Sequence, residues 1–504
     1  MIAFANRGRR FLTLLLSGSV LSGCVSTSEI STYSAPDAGA LHVSLVVEEK
    51  LGKETAFVQD SSQASTLAER VREMVVGKTI SADTAVQVAL LNNKGLQAAY
   101  AQVGISAAEV WQQALPENPR ISFGVSGMGA PGFGAWRSLE GLLASNLLRL
   151  LTSEKRMAIA DAEFQVAQLR AIEETLRIAN VTRRAWIKAV AAFEVVIHLN
   201  QAQQAADAAS ELAQKLGESG ALAKAGQARE HAFFAELTGQ KAKARLAAQL
   251  AKEELARAMG LWGEQLNYFV PDYLPKLPPQ TATPAEIEAE ALTKRVDLQI
   301  AKMELETVAR RYGLTQATRY VTDLGLMAGI EREKEIDTEY ELVGGNLEET
   351  KTRSKVNTGS VEVDFAIPIF DSGEARLRKA ELAYRQAANV LAQKAVDIRS
   401  QARSSLYAVK ATHDIARHYR NSVLPLRVVI EEESLLTYNG MITNTFELLA
   451  DTRARIATVL MSGEALRDYW LAEADLAAAV IGGGDDASTQ TASAAAVEGG
   501  GPAH

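Results

Sequence analysis

Thr152 to Leu216 reads TSEKRMAIADAEFQVAQLRAIEETLRIANVTRRAWIKAVAAFEVVIHLNQAQQAADAASELAQKL, about 65 residues with no glycine and no proline. A globular helix averages roughly 11 to 12 residues. Ala, Glu, Gln, Arg, Lys and Leu dominate the stretch, and these are the strongest helix formers. Trp186, Val190, Phe193 and Ile197 recur at intervals of 4, 3 and 4, and Ala202, Ala205, Ala209, Leu212 and Leu216 prolong the stripe. The pattern predicts one amphipathic helix. At 1.5 Å per residue it would measure on the order of 98 Å, more than twice the thickness of a bilayer. Charges recur along every face, so the rod belongs in water. Taken alone it suits an ordinary coiled-coil scaffold as well as a device that reaches across a compartment.

The flanks decide between these. The chain has 504 residues, 47% hydrophobic and 23% charged, with a formal net charge of -8 and no basic tail, a balance unsuited to nucleic acid. Residues 1–23 read as a signal peptide: Arg7, Arg9 and Arg10 precede the apolar run Phe11 to Val20, which is too short to span a membrane. Leu21-Ser-Gly-Cys24 resembles the lipobox of bacterial lipoproteins, which implies lipidation at Cys24. Val25 and Ser26 lack the aspartate that the resemblance associates with inner-membrane retention, so the outer membrane is the expected destination. The lone cysteine excludes an intramolecular disulfide, and a lipid anchors a chain without making it span. Residues 24–79 are assigned only as a lipidated N-terminal extension.

Residues 80–270 form a first repeat. Ser81-Ala-Asp83 caps a helix marked by Ala85, Val88, Ala89, Leu96, Ala99 and Val103, which Pro116 and Pro119 end. Strands follow at about 119–127 and 135–148, the first with Ile121, Phe123 and Val125 alternating with Ser122, Gly124 and Ser126. The long helix 152–216 then meets the break Gly217-Glu-Ser-Gly220, and a returning helix runs from Ala223 to Met259. After a linker, 271–284, residues 285–480 repeat the order. A helix at 285–317 precedes strands at about 321–330 and 359–368, with a long charged loop from Glu331 to Thr358 between them. A long helix over 373–437, kinked by Pro425, leads to a break at Gly440 and a returning helix. Leu96-Gln97 and Leu298-Gln299 are offset by 202, Gly220 and Gly440 by 220, as a duplication with one enlarged loop requires. Residues 481–504 are expected to be a disordered tail.

The strands have the length and two-faced alternation of transmembrane β-strands. Four cannot close a barrel, and an open edge cannot face lipid, so either the chain is no membrane protein or it pools strands with its own copies; three copies would give twelve. Ser122, Ser126, Glu362 and Asp364 would then face a wet lumen.

This order behind a lipobox, with Leu115-Pro116-Glu-Asn-Pro-Arg-Ile-Ser, Ala366-Ile-Pro368-Ile-Phe-Asp371-Ser-Gly373 and Tyr438-Asn-Gly440 through Glu447-Leu-Leu449, resembles the TolC-like outer-membrane efflux proteins. The resemblance covers roughly residues 81 to 478. It implies a mainly α fold with transmembrane β, in which a homotrimer builds a 12-stranded outer-membrane β-barrel continued by a periplasmic α-helical barrel. It further implies the exit duct of a tripartite efflux system, partnered by a periplasmic adaptor and an inner-membrane pump of RND type. Tyr438 and Glu447 match aperture positions, with Asp451 a neighbouring acid, and a ring of three such acids could filter cations and gate. Gly217, Gly220, Asn439, Gly440 and Thr443 lie at the tips expected to touch the adaptor. The rivals are the exit duct of a type I protein secretion system and a lipid-anchored periplasmic coiled-coil scaffold.

No enzyme, cofactor or metal is expected. Gly127-Met-Gly129-Ala-Pro-Gly132 matches G-x-G-x-x-G, but Pro131 interrupts it and no helix begins there. His413 and His418 diverge on a helix, and no H-E-x-x-H or Cys/His cluster occurs.

Overall fold

A computed structural model describes residues 27–131, 133, 135–220, 223–279, 286–343, 346–440 and 445–484. Cys24, Thr443 and the tail from 485 lie outside the described residues. The chain divides into two compact units, one of residues 27–38, 105–166 and 302–390, the other of 39–104, 167–301 and 391–484.

Helices α1 (Thr27–Ser34), α2 (Ala40–Leu51) and α3 (Ser61–Val75) open the chain, so the N-terminal extension is more ordered than its composition suggests. The first repeat contains α4 (Ala82–Asn92), α5 (Lys94–Ala114), β1 (Arg120–Ser126), β2 (Ser138–Asn146), α6 (Leu147–Leu151), α7 (Ser153–Glu218) and α8 (Lys224–Met259). The second contains α9 (Ile287–Lys294), α10 (Val296–Ala317), β3 (Leu324–Val343), β4 (Asn346–Phe365), α11 (Glu374–His418), α12 (Leu424–Asn439) and α13 (Thr445–Ile481). Helix α7 is continuous over 66 residues, within two residues of the expected bounds at either end.

Where one helix was expected from Ser81 to Leu115, two occur, and the break recurs in the second repeat. Asn93 and Arg295, 202 apart, both leave the helical region, with φ/ψ of -65/122 and -67/125. The two breaks are secured by different chemistry. Asn93 accepts from the backbone N–H of Gly95 at 2.8 Å and of Leu96 at 3.3 Å, restarting the helix, and donates to the Ala258 carbonyl at the end of α8. Gly260 closes α8 at φ +69, and a Cβ there would stand 3.1 Å from the Asn92 carbonyl oxygen, so only glycine fits. At the second break Asp297 accepts from the Leu298 N–H at 2.9 Å and forms a two-pronged pair with Arg295, at 2.9 and 2.8 Å. Arg295 also donates to Gln401 on α11 at 2.6 Å and to the Ala479 carbonyl on α13 at 3.4 Å. Both charged side chains are buried, and Lys394 approaches Asp297 at 3.6 Å.

Around that pair Leu298, Ile398, Ala402, Val409, Tyr469 and Leu476 form the core that joins α10, α11 and α13. His413 is buried there, its ring nitrogen 3.0 Å from the Pro278 carbonyl, a core histidine with a backbone partner. In the first repeat the Trp186 indole donates to the Ile80 carbonyl at 2.9 Å, and Leu199, Ala202 and Ala206 of α7 pack on Leu237 of α8. Pro425 was expected to kink the second rod. It has no N–H and crowds the carbonyl four residues back, and a π-helical turn at Tyr419–Val423 takes up the mismatch immediately before it.

Removing one partner of a buried pair strands the other charge. Asp297→Ala is expected to cost roughly 3–5 kcal/mol and Asp297→Asn less, read as loss of chemical-denaturation stability. Burial also pushes the Tyr268 phenol well above its ordinary value, while its hydroxyl donates to the Lys252 carbonyl at 2.9 Å. The fold holds the neutral phenol, so this contribution is intact below the ordinary pKa and shrinks as pH rises towards the higher folded one. Tyr268→Phe should flatten the fall in Tm between about pH 9 and about pH 11.

Candidate functional site: a two-faced sheet and the helix tips

The four strands form one antiparallel sheet in the order β1-β2-β3-β4. Its register sorts the side chains. Ser122 faces Leu142, Ser126 faces Ser138, Gly141 faces Ile330, Leu142 faces Gly329, Met327 faces Glu362 and Gly325 faces Asp364. Directly opposed residues share a face, and the face alternates along each strand. Ser122, Ser126, Glu362 and Asp364 therefore lie on one side of the sheet, with Glu140 and Ser360. The other side carries Ile121, Phe123, Val125, Leu139, Leu143, Leu326, Ile330, Val361, Val363 and Phe365.

That second side is apolar and uncovered. Phe123 is 84% exposed, Val361 78% and Ile330 71%. Leaving such a side chain in water forfeits roughly 1.5–3 kcal/mol apiece, so a contiguous face of them requires an apolar partner. Phe123 lies over Gly141, its ring 3.7 Å from where a Cβ would be, filling the gap the glycine leaves in the face.

The four helices that flank the strands join the sheet at one end. β1 begins at Arg120 after α5, β2 ends at Asn146 before α6, β3 begins at Leu324 after α10, and β4 ends at Phe365 before α11. The turns occupy the opposite end, with Gly127 at φ +66 and Gly129 at φ +77, so the glycine-rich stretch is a strand connection. At the helix end Gly373 has φ +73 and sits against the Arg319 carbonyl, where a Cβ would stand 2.5 Å away. Asp371 accepts from its N–H at 2.8 Å, which starts α11.

The charged stretch expected as a loop, Glu331 to Thr358, is strand over 331–343 and 346–358: β3 and β4 have 20 residues each, paired to their ends. A signal was available. Glu331, Glu333, Glu335, Asp337 and Glu339 occupy every second position, the period of a strand and not of a loop.

The tips are equivalent in length and not in conformation. The rods end at 218 and 439 and the returning helices begin at 224 and 445, each offset by 221. Gly220 is left-handed at φ +75, whereas Gly440 has φ -78. Gly217 lies within the last turn of α7, under the side-chain amide of Gln227 from α8, which would have to swing aside for a Cβ. Asn439, exposed, ends α12, with half-buried Tyr438 just before it. Glu447, also exposed, stands in the first turn of α13. Asp451 instead accepts from the Ser434 hydroxyl, and Arg455 pairs with Glu431, so these acids tie α12 to α13. The buried Glu230 pairs with Arg453 at 3.0 Å and the guanidinium lies 4.2 Å from the Phe233 ring centre, a link between α8 and α13 that composition did not reveal. Among the described residues no helix is long and apolar enough to cross a membrane.

No family model and no curated protein matches the sequence. Solved structures do, and they define a class: the chain has the fold of outer-membrane channels. The Campylobacter jejuni CmeC outer membrane channel is similar over 88% of this chain and 94% of its own, at TM-score 0.65 and 17% identity. CusC, a protein that forms a transmembrane channel, is similar over 80% and 92% at TM-score 0.65 and 16% identity. The Vibrio cholerae outer membrane protein VceC is similar over 80% and 97% at TM-score 0.62 and 15% identity. The fold is thus the expected mainly α fold with one antiparallel sheet, shared with those channels.

The two faces should respond oppositely to charge. In a Cys24→Ser background, which removes the expected lipid anchor, Val363→Arg on the apolar side is expected to cost roughly 2–4 kcal/mol in lipid and to weaken co-flotation with phosphatidylcholine vesicles. Ser122→Arg, on the polar side, should float like the unaltered chain.

Proposed function

We propose that this protein is the outer-membrane exit duct of a tripartite efflux system, a homotrimer that passively conducts cargo and carries out no chemistry of its own. The observation that carries the reading is the uncovered apolar face on a sheet with two free edges. Four is an even number of strands, so β4 of one copy runs antiparallel to β1 of the next, and a ring of copies closes without a parallel joint. Three copies supply twelve strands.

Exposed apolar positions elsewhere support packing between copies. Leu382, Val390, Val396, Tyr407 and Ile415 of α11 are exposed, and at 100° per residue they fall within an arc of about 120°. Phe370, in the connection to α11, is 101% exposed. A free-standing scaffold has no use for either surface, which disfavours that rival.

In this reading Cys24 carries the lipid anchor in the outer membrane, and Ser122, Ser126, Glu362 and Asp364 line the lumen. Tyr438 and Glu447 stand at the aperture, with Asp451 holding α12 to α13 behind them. The tips, from Gly217 to Gly220 and from Asn439 to Thr443, meet a periplasmic adaptor that couples the duct to an inner-membrane pump of RND type.

Full-length protein reconstituted in planar bilayers is expected to give discrete, cation-preferring conductance steps and to cross-link as a trimer. Glu447→Gln should reduce the cation preference while leaving the trimer intact. A monomer in detergent, with Ile121, Phe123, Val363 and Phe365 labelled freely from water after introduction of cysteine, would overturn the proposal.

A further inference from the structure

Beyond Ile330 and Gly359 the β3–β4 hairpin continues past the apolar band with its two faces oppositely charged. Glu331, Glu333, Glu335, Asp337 and Glu339 extend the polar face. Arg332, Lys334, Lys351, Arg353 and Lys355 extend the apolar one. We propose that this basic face binds the phosphate-bearing headgroups of an anionic lipid at the membrane surface farther from the helices. The proposal rests on the reading of the sheet as membrane-spanning.

Three observations carry it. The basic row follows the apolar row on the same face, so when the apolar row lies against lipid tails the cations come level with headgroups. At the junction Lys334 Nζ donates to the carbonyls of Phe133 and Trp136, at 3.1 and 3.0 Å, and lies 3.7 Å from the Trp136 ring centre. An aromatic ring at that level is what a boundary between hydrocarbon and water selects. Lastly, Lys334 and Lys355 are directly opposed across the strands, a like-charge pairing that destabilises a ribbon in water and that an anion relieves. Among the described side chains of this face the one acid is Glu349, paired with Lys351 at 2.8 Å, and no ion pair engages Arg332, Arg353 or Lys355. The acidic face would repel the same headgroups, so the segregation also sets which way the hairpin faces.

Full-length protein in a neutral detergent is titrated with dioctanoyl phosphatidylglycerol or dioctanoyl phosphatidylcholine, and bound lipid is counted by native mass spectrometry. Lys334 is left in place because it also holds the β1–β2 turn. Unaltered protein should prefer phosphatidylglycerol, and R332Q/R353Q/K355Q should lose roughly tenfold or more of that affinity. The opposite-face variant E335Q/D337Q/E339Q should retain it. Equal uptake of both lipids by the unaltered protein, or an unchanged preference in the basic-face variant, would overturn the proposal. So would loss of the trimer in that variant without loss of lipid, which would assign the face to a neighbouring copy. Co-flotation of the unlipidated Cys24→Ser variant with phosphatidylcholine vesicles separates the two levels. Protein that does not float sinks the membrane reading itself, whereas protein that floats without headgroup preference sinks only this inference.

Discussion

Hydrocarbon offers no hydrogen bonds, so a sheet within it must leave no backbone N–H or C=O unpaired, and here β1 and β4 each present a free edge. One face of the same sheet is apolar and uncovered while the other carries serines and carboxylates. In the proposed trimer, closure through neighbouring copies meets both demands at once. It pairs the edges, turns the greasy face outwards and encloses the polar one. The remaining features follow from that requirement. The helices must enter and leave at one end, because a segment with charges on every side cannot run beside the strands through lipid.

The two repeats share their geometry and differ in the chemistry that secures it. Both break their first helix at the same relative position and with nearly the same backbone angles. In one an asparagine caps the new helix, and in the other a buried arginine–aspartate pair ties three helices together. A buried pair is weak evidence of net stability, since desolvation offsets much of the attraction. What it supplies here is geometry, as the guanidinium reaches α11 and α13 from the one residue where the helix is interrupted. The tips diverge similarly, with a left-handed glycine at one and a helical φ at the other. The path of the backbone thus recurs between the two halves while the side chains that hold it differ.

The lengthened hairpin is the largest departure from symmetry. β3 and β4 have 20 residues each, against 7 and 9 for β1 and β2. Once the apolar band ends, each face of the ribbon takes on a charge of its own. Nothing in the packing of so exposed a ribbon demands that segregation, and a purely solvated arm would be as stable with its charges mixed.

Periodicity alone determined much of this protein. The uninterrupted helix, the two-faced strands, the repeat offsets and the placement of Ser122, Ser126, Glu362 and Asp364 on one face all follow from spacing, because backbone geometry converts spacing directly into direction. Only the tertiary structure decided the rest. It divided one expected helix at Asn93 and gave Asp451 a hydroxyl partner across the tip. Both depend on which distant group lies alongside, a helix end at Ala258 and a serine one helix away. Such pairings are set by how the elements pack, and local sequence carries no record of that.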